Sequence, residues 1–220
     1  QVRLCPMILL AALRRPIVLA KTAATIDVLT GGRLDLGVGV GWQEEEYEAA
    51  GLDFAARGRL LDQTLEICHA LWTQERASVS TPELSFEGIH QMPKPTAGTV
   101  PVWVSGTVNR RSMARLARFG SGWIPWGPDA ADIASGIDKM REAVAATGRD
   151  PSGIEVAANV RLARDERGEP QIGPTMAAVP ELIAAGATDL RVHLQSPPGV
   201  DQAAEYLAPW VEAFDAAAVT

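Results

Sequence analysis

The chain has 220 residues, 47 % of them hydrophobic, which is enough for one sizeable core or at most two small ones. Its net charge of −7 and pI near 5.0 exclude the basic excess that grips nucleic acid or an acidic membrane. No apolar run reaches membrane-spanning length; the longest, Leu4 to Leu13, is broken by Pro6 and followed by Arg14 and Arg15.

The chain opens directly on a buried-strand pattern, VRLCPMIL over 2–9, with no initiator Met, and we expect sequence to precede it. Cys5 there and Cys68 further on lie in apolar runs, far apart, and read as buried free thiols. With no recognisable signal peptide, a reducing cytoplasm is the expected setting. The stretch 16–29 is a helix, with Pro16 in its first turn and Gly31-Gly32 as its stop.

The strand 33–41, RLDLGVGVG, holds the least ordinary feature of the sequence. Side chains alternate along a strand, so Gly37, Gly39 and Gly41 share one face, and Val38 and Val40 share the other with Leu34 and Leu36. The dinucleotide fingerprint is excluded, because its third glycine falls on Trp42 when counted from Gly37 and on Glu44 when counted from Gly39. Two readings of the bare face stand: small residues that let bulky neighbours fill the core, or a groove wide enough for a flat ring. After Trp42, the run Glu44, Glu45 and Glu46 suits the dipole of a helix start; one of them can instead face a pocket as an acid–base group.

A helix over 57–72 carries the stripe Leu61, Leu65, Cys68 and Trp72. Residues 76–99 are too long for a turn and read as an excursion, a hairpin over one end of the domain. The strand 100–105, VPVWVS, runs into the small turn Ser105-Gly106-Thr107 and a helix over 109–119 capped by Asn109 and stopped by Gly120. Such a helix start is an anion site, with Arg110 and Arg111 adding charge, or a capped loop with its arginines in solvent. Strands follow at 122–126, 154–162 and 189–195. Helices follow at 129–147 (cap Asp129, stop Gly148), 175–186 (cap Thr175, stop Gly186) and 201–217. His193, flanked by apolar residues, reads as a satisfied buried histidine, and His69, His90 and His193 have no metal-ligand spacing.

Six strand-then-helix units in a row require parallel strands with right-handed crossovers. We therefore expect one α/β domain over 1–220, a (β/α)8 TIM-type barrel with six of its eight units present. The two others, at about 30 residues each, would precede the chain. A doubly wound sheet is the other arrangement such a pattern allows.

The stretches RRPIVLAKTAATIDVLTGGRLDLGVGVGWQEEEYEAAG, RGRLLDQTLEICHALW and PVWVSGTVNRRSMARLARFGSGWIP resemble the bacterial luciferase-like flavin/deazaflavin oxidoreductase superfamily. In particular they resemble its actinobacterial branch, taken to use coenzyme F420, and the likeness runs from about Leu4 to Leu194. The resemblance implies a barrel whose open end holds F420, or FMN in its place, and no metal. It puts Gly39, Val40, Gly41 and Trp42 beside the ring or substrate, Ser105, Gly106 and Thr107 at the phosphate, and Trp123 at the floor nearby. It also implies a cis peptide behind the ring, around Cys5-Pro6-Met7, with Met7 at the cofactor; Pro6 departs from the usual Ser or Gly. An acidic residue and a His that the family carries in its first two units have no counterpart in this chain.

The activity implied is hydride transfer between F420 and a small organic substrate, with proton transfer by Glu44 or Glu45. Trp42, Trp126 and the 76–99 excursion suggest an apolar or aromatic substrate. A homodimer is expected, and no nucleic-acid or membrane partner. The alternatives are an FMN-dependent monooxygenase of the same fold and a non-catalytic flavoprotein or degenerate barrel. A Schiff-base aldolase needs a lysine at a strand end, whereas Lys21 and Lys139 fall in helices and Lys94 in a loop.

Overall fold

The structure is a computed structural model that describes residues 2–219. A short 3-10 turn, Ala11–Leu13, precedes helix α1 (Pro16–Thr30), strand β1 (Leu36–Val38) and helix α2 (Glu44–Ala49). Helix α3 (Arg57–Thr73) leads into the hairpin strands β2 (Ala77–Ser80) and β3 (Ser85–Ile89). Then come β4 (Val102–Gly106), α4 (Arg110–Phe119), β5 (Gly120–Pro125), α5 (Pro128–Ala131) and α6 (Ile133–Ala145). The chain ends with β6 (Glu155–Asn159), α7 (Ile172–Met176), α8 (Val179–Ala184), β7 (Asp189–Arg191) and α9 (Val200–Ala218).

Strands β1, β4, β5, β6 and β7 lie side by side in that order, and every pair is parallel. Residues 2–9 extend the sheet past β1, but as two parallel bridges, Leu4 to Leu34 and Leu9 to Val38, and not as the continuous strand expected. The reason is Pro6, which has no N–H to give the ladder. On either side of it the hydrogen bonds resume, from Asp35 N–H to the Leu4 carbonyl (2.8 Å) and from Leu9 N–H to the Gly37 carbonyl (2.8 Å). The result is a curled parallel sheet, a half-barrel of the α/β class, with helices on its outer side.

Two apolar layers form on the two faces of this sheet. Val38, Val102, Val104, Trp123 and Val156 point outward and join Leu19, Leu61, Leu65 and Met113 of α1, α3 and α4 in the main core. Trp103, Ile124 and Ala157 point inward and meet Ile8 in a separate cluster. A third cluster, around Val160, Met176, Val179 and Trp210, seats α9 against α7 and α8. Cys68 is buried in the main core, where desolvation pushes its thiol up to about 12, and Cys5 is half-buried; both are free.

Several expected elements differ in detail. The 129–147 helix is two helices, because Asp132 leaves helical geometry (φ −119°) and caps the second one through the Ser135 N–H. Asp129 is therefore not the cap but lies inside α5. Thr175 is also not a cap: inside α7, its hydroxyl donates to the Gln171 carbonyl and accepts the Ala163 N–H. The ladder of β7 stops at Arg191 and that of β6 at Asn159, short of the strands read as 189–195 and 154–162. The 76–99 excursion is a hairpin, as expected, but it lies along α3 and not over an end of the barrel. Its tip pairs Glu83 with Arg59, and Lys94 on its return donates to the carbonyls of Leu71 and Gln74 at the far end of α3. Asn109 does cap α4, in a reciprocal box with Ser112. No helix among the described residues is long and apolar enough to cross a membrane.

The inward layer depends on one close approach. A Cβ placed on Gly122 would stand 2.3 Å from the Trp103 ring, so the indole lies directly on that glycine. Gly122→Ala must push the ring out of place, and we expect it to cost roughly 1–3 kcal/mol in urea unfolding. An unchanged midpoint would show that the ring moves freely.

Candidate active site at the carboxyl ends of the strands

The ladder registers fix which residues share the inner face. Gly37, Trp103, Gly122 and Glu155 form one row across β1, β4, β5 and β6. Counting two residues upward gives Gly39, Ser105, Ile124, Ala157 and Asp189; above them Asn159 and Arg191 pair at the ends of β6 and β7, and Gly41, Thr107 and Trp126 lie past the ends of β1, β4 and β5. The lower end of this interior opens into a cavity of about 470 Å³ lined by Arg3, Asp35, Glu155 and Asp189 among others. Arg3 and Asp35 close a two-pronged ion pair there, each hydrogen bond 2.6 Å. Above, the Arg191 guanidinium stacks 4.9 Å from the centre of the Trp103 ring, pairs with Asp189 and touches Met7 Sδ. The Cys5 thiol is pushed up by its burial, and the nearby Arg191 cation opposes that shift.

The glycine face is not an open groove. A Cβ on Gly37 would meet the Pro6 carbonyl oxygen at 2.1 Å, one on Gly39 would meet Ile8 Cδ1 at 2.1 Å, and one on Gly41 would meet Leu10 Cδ2 at 3.0 Å. Residues 6–10 fill the space that the missing side chains leave. Of the two sequence readings of this strand, packing is the one that matches these contacts. Val40 faces the other way, packs on the main core, and its carbonyl accepts the Tyr47 hydroxyl at 2.7 Å. The non-proline cis bond expected around Cys5–Met7 falls one step later, between Met7 and Ile8.

The rim above this face is open. Trp42 is 80 % exposed and Trp126 65 %, and Met7, on the segment that pairs with β1, is also exposed. Between the two tryptophan-bearing strands, β4 ends in Ser105, Gly106 and Thr107. Gly106 has φ +153°, a conformation side chains rarely adopt, and its carbonyl accepts the Trp123 indole N–H at 3.0 Å. Trp123 itself is fully buried in the outer core, so it props this turn from behind and does not form the floor of a site. Glu44 and Glu45 are exposed in the first turn of α2. His193 is exposed, not buried; it lies two residues past the end of β7, and the flanking Val192 and Leu194 pack with Leu190 on the cluster around Trp210.

The turn after β4 bonds largely to itself. Asn109 Oδ1 accepts the N–H groups of Arg111 and Ser112, both at 3.0 Å, and Ser112 Oγ accepts the Asn109 N–H at 3.3 Å. Asp129, reaching over from α5, takes the Val108 N–H at 2.6 Å. Among the described residues, the N–H groups of Thr107 and Arg110 find no partner within this turn, and Arg110 and Arg111 are exposed. Asp129, Trp103 and Arg191 did not stand out in the sequence as site residues. Nothing local links Asp129 to Val108, a residue 21 positions away. No group of three or more His, Cys, Asp or Glu among the described residues could hold a metal.

Residues 1–170 match the family model for luciferase-like monooxygenase. The chain belongs to the luciferase-like monooxygenase family. An uncharacterized protein of Mycobacterium tuberculosis (strain ATCC 25618 / H37Rv) is 34 % identical over 166 residues, covering 76 % of this chain. The chain spans 58 % of that relative's length. In three dimensions the family likeness extends to the monooxygenase RslO1 from Streptomyces bottropensis, with a TM-score of 0.77 at 18 % identity over 98 % of this chain and 78 % of that one. It extends also to an F420-dependent secondary alcohol dehydrogenase in complex with an F420-acetone adduct, with a TM-score of 0.71 at 16 % identity over 96 % of this chain and 78 % of that one. These likenesses show that the half-barrel described above shares its fold with both structures.

If Gly39 is small in order to admit Ile8, its cost of substitution must depend on Ile8. We expect Gly39→Ala alone to cost roughly 1–3 kcal/mol and Ile8→Val alone about 1 kcal/mol. The double variant should be no less stable than Ile8→Val, because valine lacks the Cδ1 that the new methyl meets. Simple additivity in a denaturant double-mutant cycle would count against the packing role.

Proposed function

We propose that the protein is an F420-dependent oxidoreductase that moves a hydride between the deazaflavin and a small apolar or aromatic substrate at the carboxyl rim. The observation that carries this reading is the exposure of Trp42 and Trp126, which follow β1 and β5, the two strands on either side of β4 and its small-residue turn. With one strand between theirs, the two tryptophan-bearing strands are about 10 Å apart, room for a planar ring. The Thr107 and Arg110 N–H groups, the Thr107 hydroxyl and the Arg110 and Arg111 guanidiniums are a donor set suited to a phosphate. The filled glycine face is not suited to a ring, so on this reading the ring lies above the ladder, over Gly41 and Met7 and against Trp42. The F420-bound neighbour supports the choice of cofactor.

F420, when bound, supplies the hydride chemistry; the chain binds, orients and handles the proton. The turn at Ser105–Thr107 anchors the phosphate end, and the rim indoles shield the reacting face from water. Glu44 and Glu45, just past Trp42, are the proton-transfer groups, and His193, exposed two residues past the end of β7, is a third candidate. The second reading, an FMN-dependent monooxygenase, draws on the likeness to RslO1 and keeps the same anchoring residues.

Equilibrium titration of the full-length protein decides between them. We expect F420 to bind at least about tenfold more tightly than FMN, a difference of about 1.4 kcal/mol; tight FMN binding without F420 binding would overturn the first reading. Once a substrate is found, Glu44→Gln, Glu45→Gln and His193→Asn should separate cleanly. The variant of the true proton group should lose about 10²–10⁴-fold in kcat and one limb of the pH profile, with cofactor affinity unchanged.

A further inference from the structure

We propose that Asp129 sets which phosphate the rim turn accepts, favouring the singly charged diester of F420 over the doubly charged monoester of FMN. The inference rests on the reading of Ser105–Thr107 as the phosphate end of the cofactor site.

Asp129 is 7 % exposed, and its Oδ2 holds the Val108 N–H at 2.6 Å. One of the turn's donors is thus already spent on an anion that the chain supplies, and a fixed negative charge stands within the donor set. Its backbone is pinned as well. A Cβ on Gly136 would stand 2.4 Å from the Asp129 carbonyl oxygen, so α6 packs directly on α5 and holds the carboxylate where it is. Trp123 fixes the turn from the other side through the Gly106 carbonyl. Neither the turn nor the carboxylate has slack to move apart when a second anion arrives.

The cations nearby do not cancel this charge evenly. Arg110 and Arg111 are exposed at the start of α4, in no ion pair among the described residues, and water and salt screen their charge. Asp129 is withdrawn from water, where its field reaches a neighbouring anion with less screening. The phosphate of F420 continues into a tail and is a diester with one negative charge. FMN ends at its phosphate, a monoester whose second ionisation lies near 6, so that above neutrality it carries close to two. Repulsion by a fixed charge grows in proportion to the ligand's charge, so it acts about twice as strongly on the monoester.

The test is equilibrium binding at pH 8 to the full-length protein and to Asp129→Asn, whose side-chain oxygen still accepts the Val108 N–H. Four ligands are titrated: F420, FMN, and the two rings without phosphate, the free deazaflavin and riboflavin. We expect the substitution to tighten FMN about tenfold and F420 about threefold, and to leave the phosphate-free rings within about twofold. Equal shifts for the two phosphates, or no shift in either, would overturn the inference alone. So would the same change appearing in the phosphate-free rings, because the effect would then not be one of phosphate charge. Failure of all four ligands to bind the unaltered protein would overturn the reading of the turn and this inference with it.

Discussion

Two strands can come closer than a Cβ allows only where one of them lacks Cβ atoms, and one edge of this half-barrel rests on such an approach. Residues 6–10 lie so near to Gly37, Gly39 and Gly41 that a methyl on either of the first two would stand 2.1 Å from an existing atom. This closeness lets a segment interrupted by Pro6 still hold the sixth strand position through ladder bonds at Leu4 and Leu9. It also brings Ile8 onto the inner face, where it completes the cluster of Trp103, Ile124 and Ala157. The glycines are therefore structural first. Whatever they contribute to a site is indirect, by setting where Met7 and the end of the strand emerge.

The same logic recurs across the sheet and fixes where chemistry can occur. The Trp103 ring occupies the room above Gly122, and the Arg191 guanidinium covers the ring, so the middle of the interior is filled by an aromatic and a paired cation. A ligand on the inner face has only the two ends. The lower end carries the Arg3–Asp35 ion pair and the carboxylates of Glu155 and Asp189, whereas the upper end carries exposed indoles and a turn with unspent donors. Barrel enzymes place their sites at the carboxyl ends of the strands for a general reason: the loops there are free to vary without disturbing the packed interior.

Local chemistry made much of this legible in advance. The helices 16–29, 57–72 and 109–119 agree with α1, α3 and α4 because their signals, Pro16, the Leu61–Trp72 stripe and the Asn109 cap, act within one or two turns. Alternation correctly separated Val38 and Val40 from the glycines. It could not say which face of a strand is the interior, and so Trp103 went unmarked, while the resemblance put Trp123, which is buried in the outer core, at the floor of the site. Asp129 shows the same limit more sharply. As a cap it is a sound local expectation, but the tertiary bond to Val108 takes the side chain elsewhere, and Asp132 caps the helix in its place. His193, amid apolar neighbours, read as buried because hydropathy counts neighbours in sequence, whereas the leucines and valine beside it pack on the opposite side of the chain.

The turn after β4 shows how framework and site divide the available hydrogen bonds. Below and behind it the chain leaves little unpaired: Trp123 holds Gly106, Asn109 and Ser112 cap each other, and Arg149 gathers the carbonyls of Leu116, Ala117 and Gly120 at the far end of α4. Arg115, 6 % exposed, ties α4 to α3 through Asp62 and the Gly58 carbonyl. These bonds fix both ends of α4 and hence the direction in which its first turn points. A rigid frame of this kind holds the donors at Thr107 and Arg110, which among the described residues find no partner within the turn, in fixed positions. Unpaired donors held in fixed positions at a solvent-exposed rim lose little by waiting, since water satisfies them until a ligand does. On the proposed reading of this turn as an anion site, Asp129 narrows the opening further, because it occupies the Val108 N–H and adds a standing charge of its own.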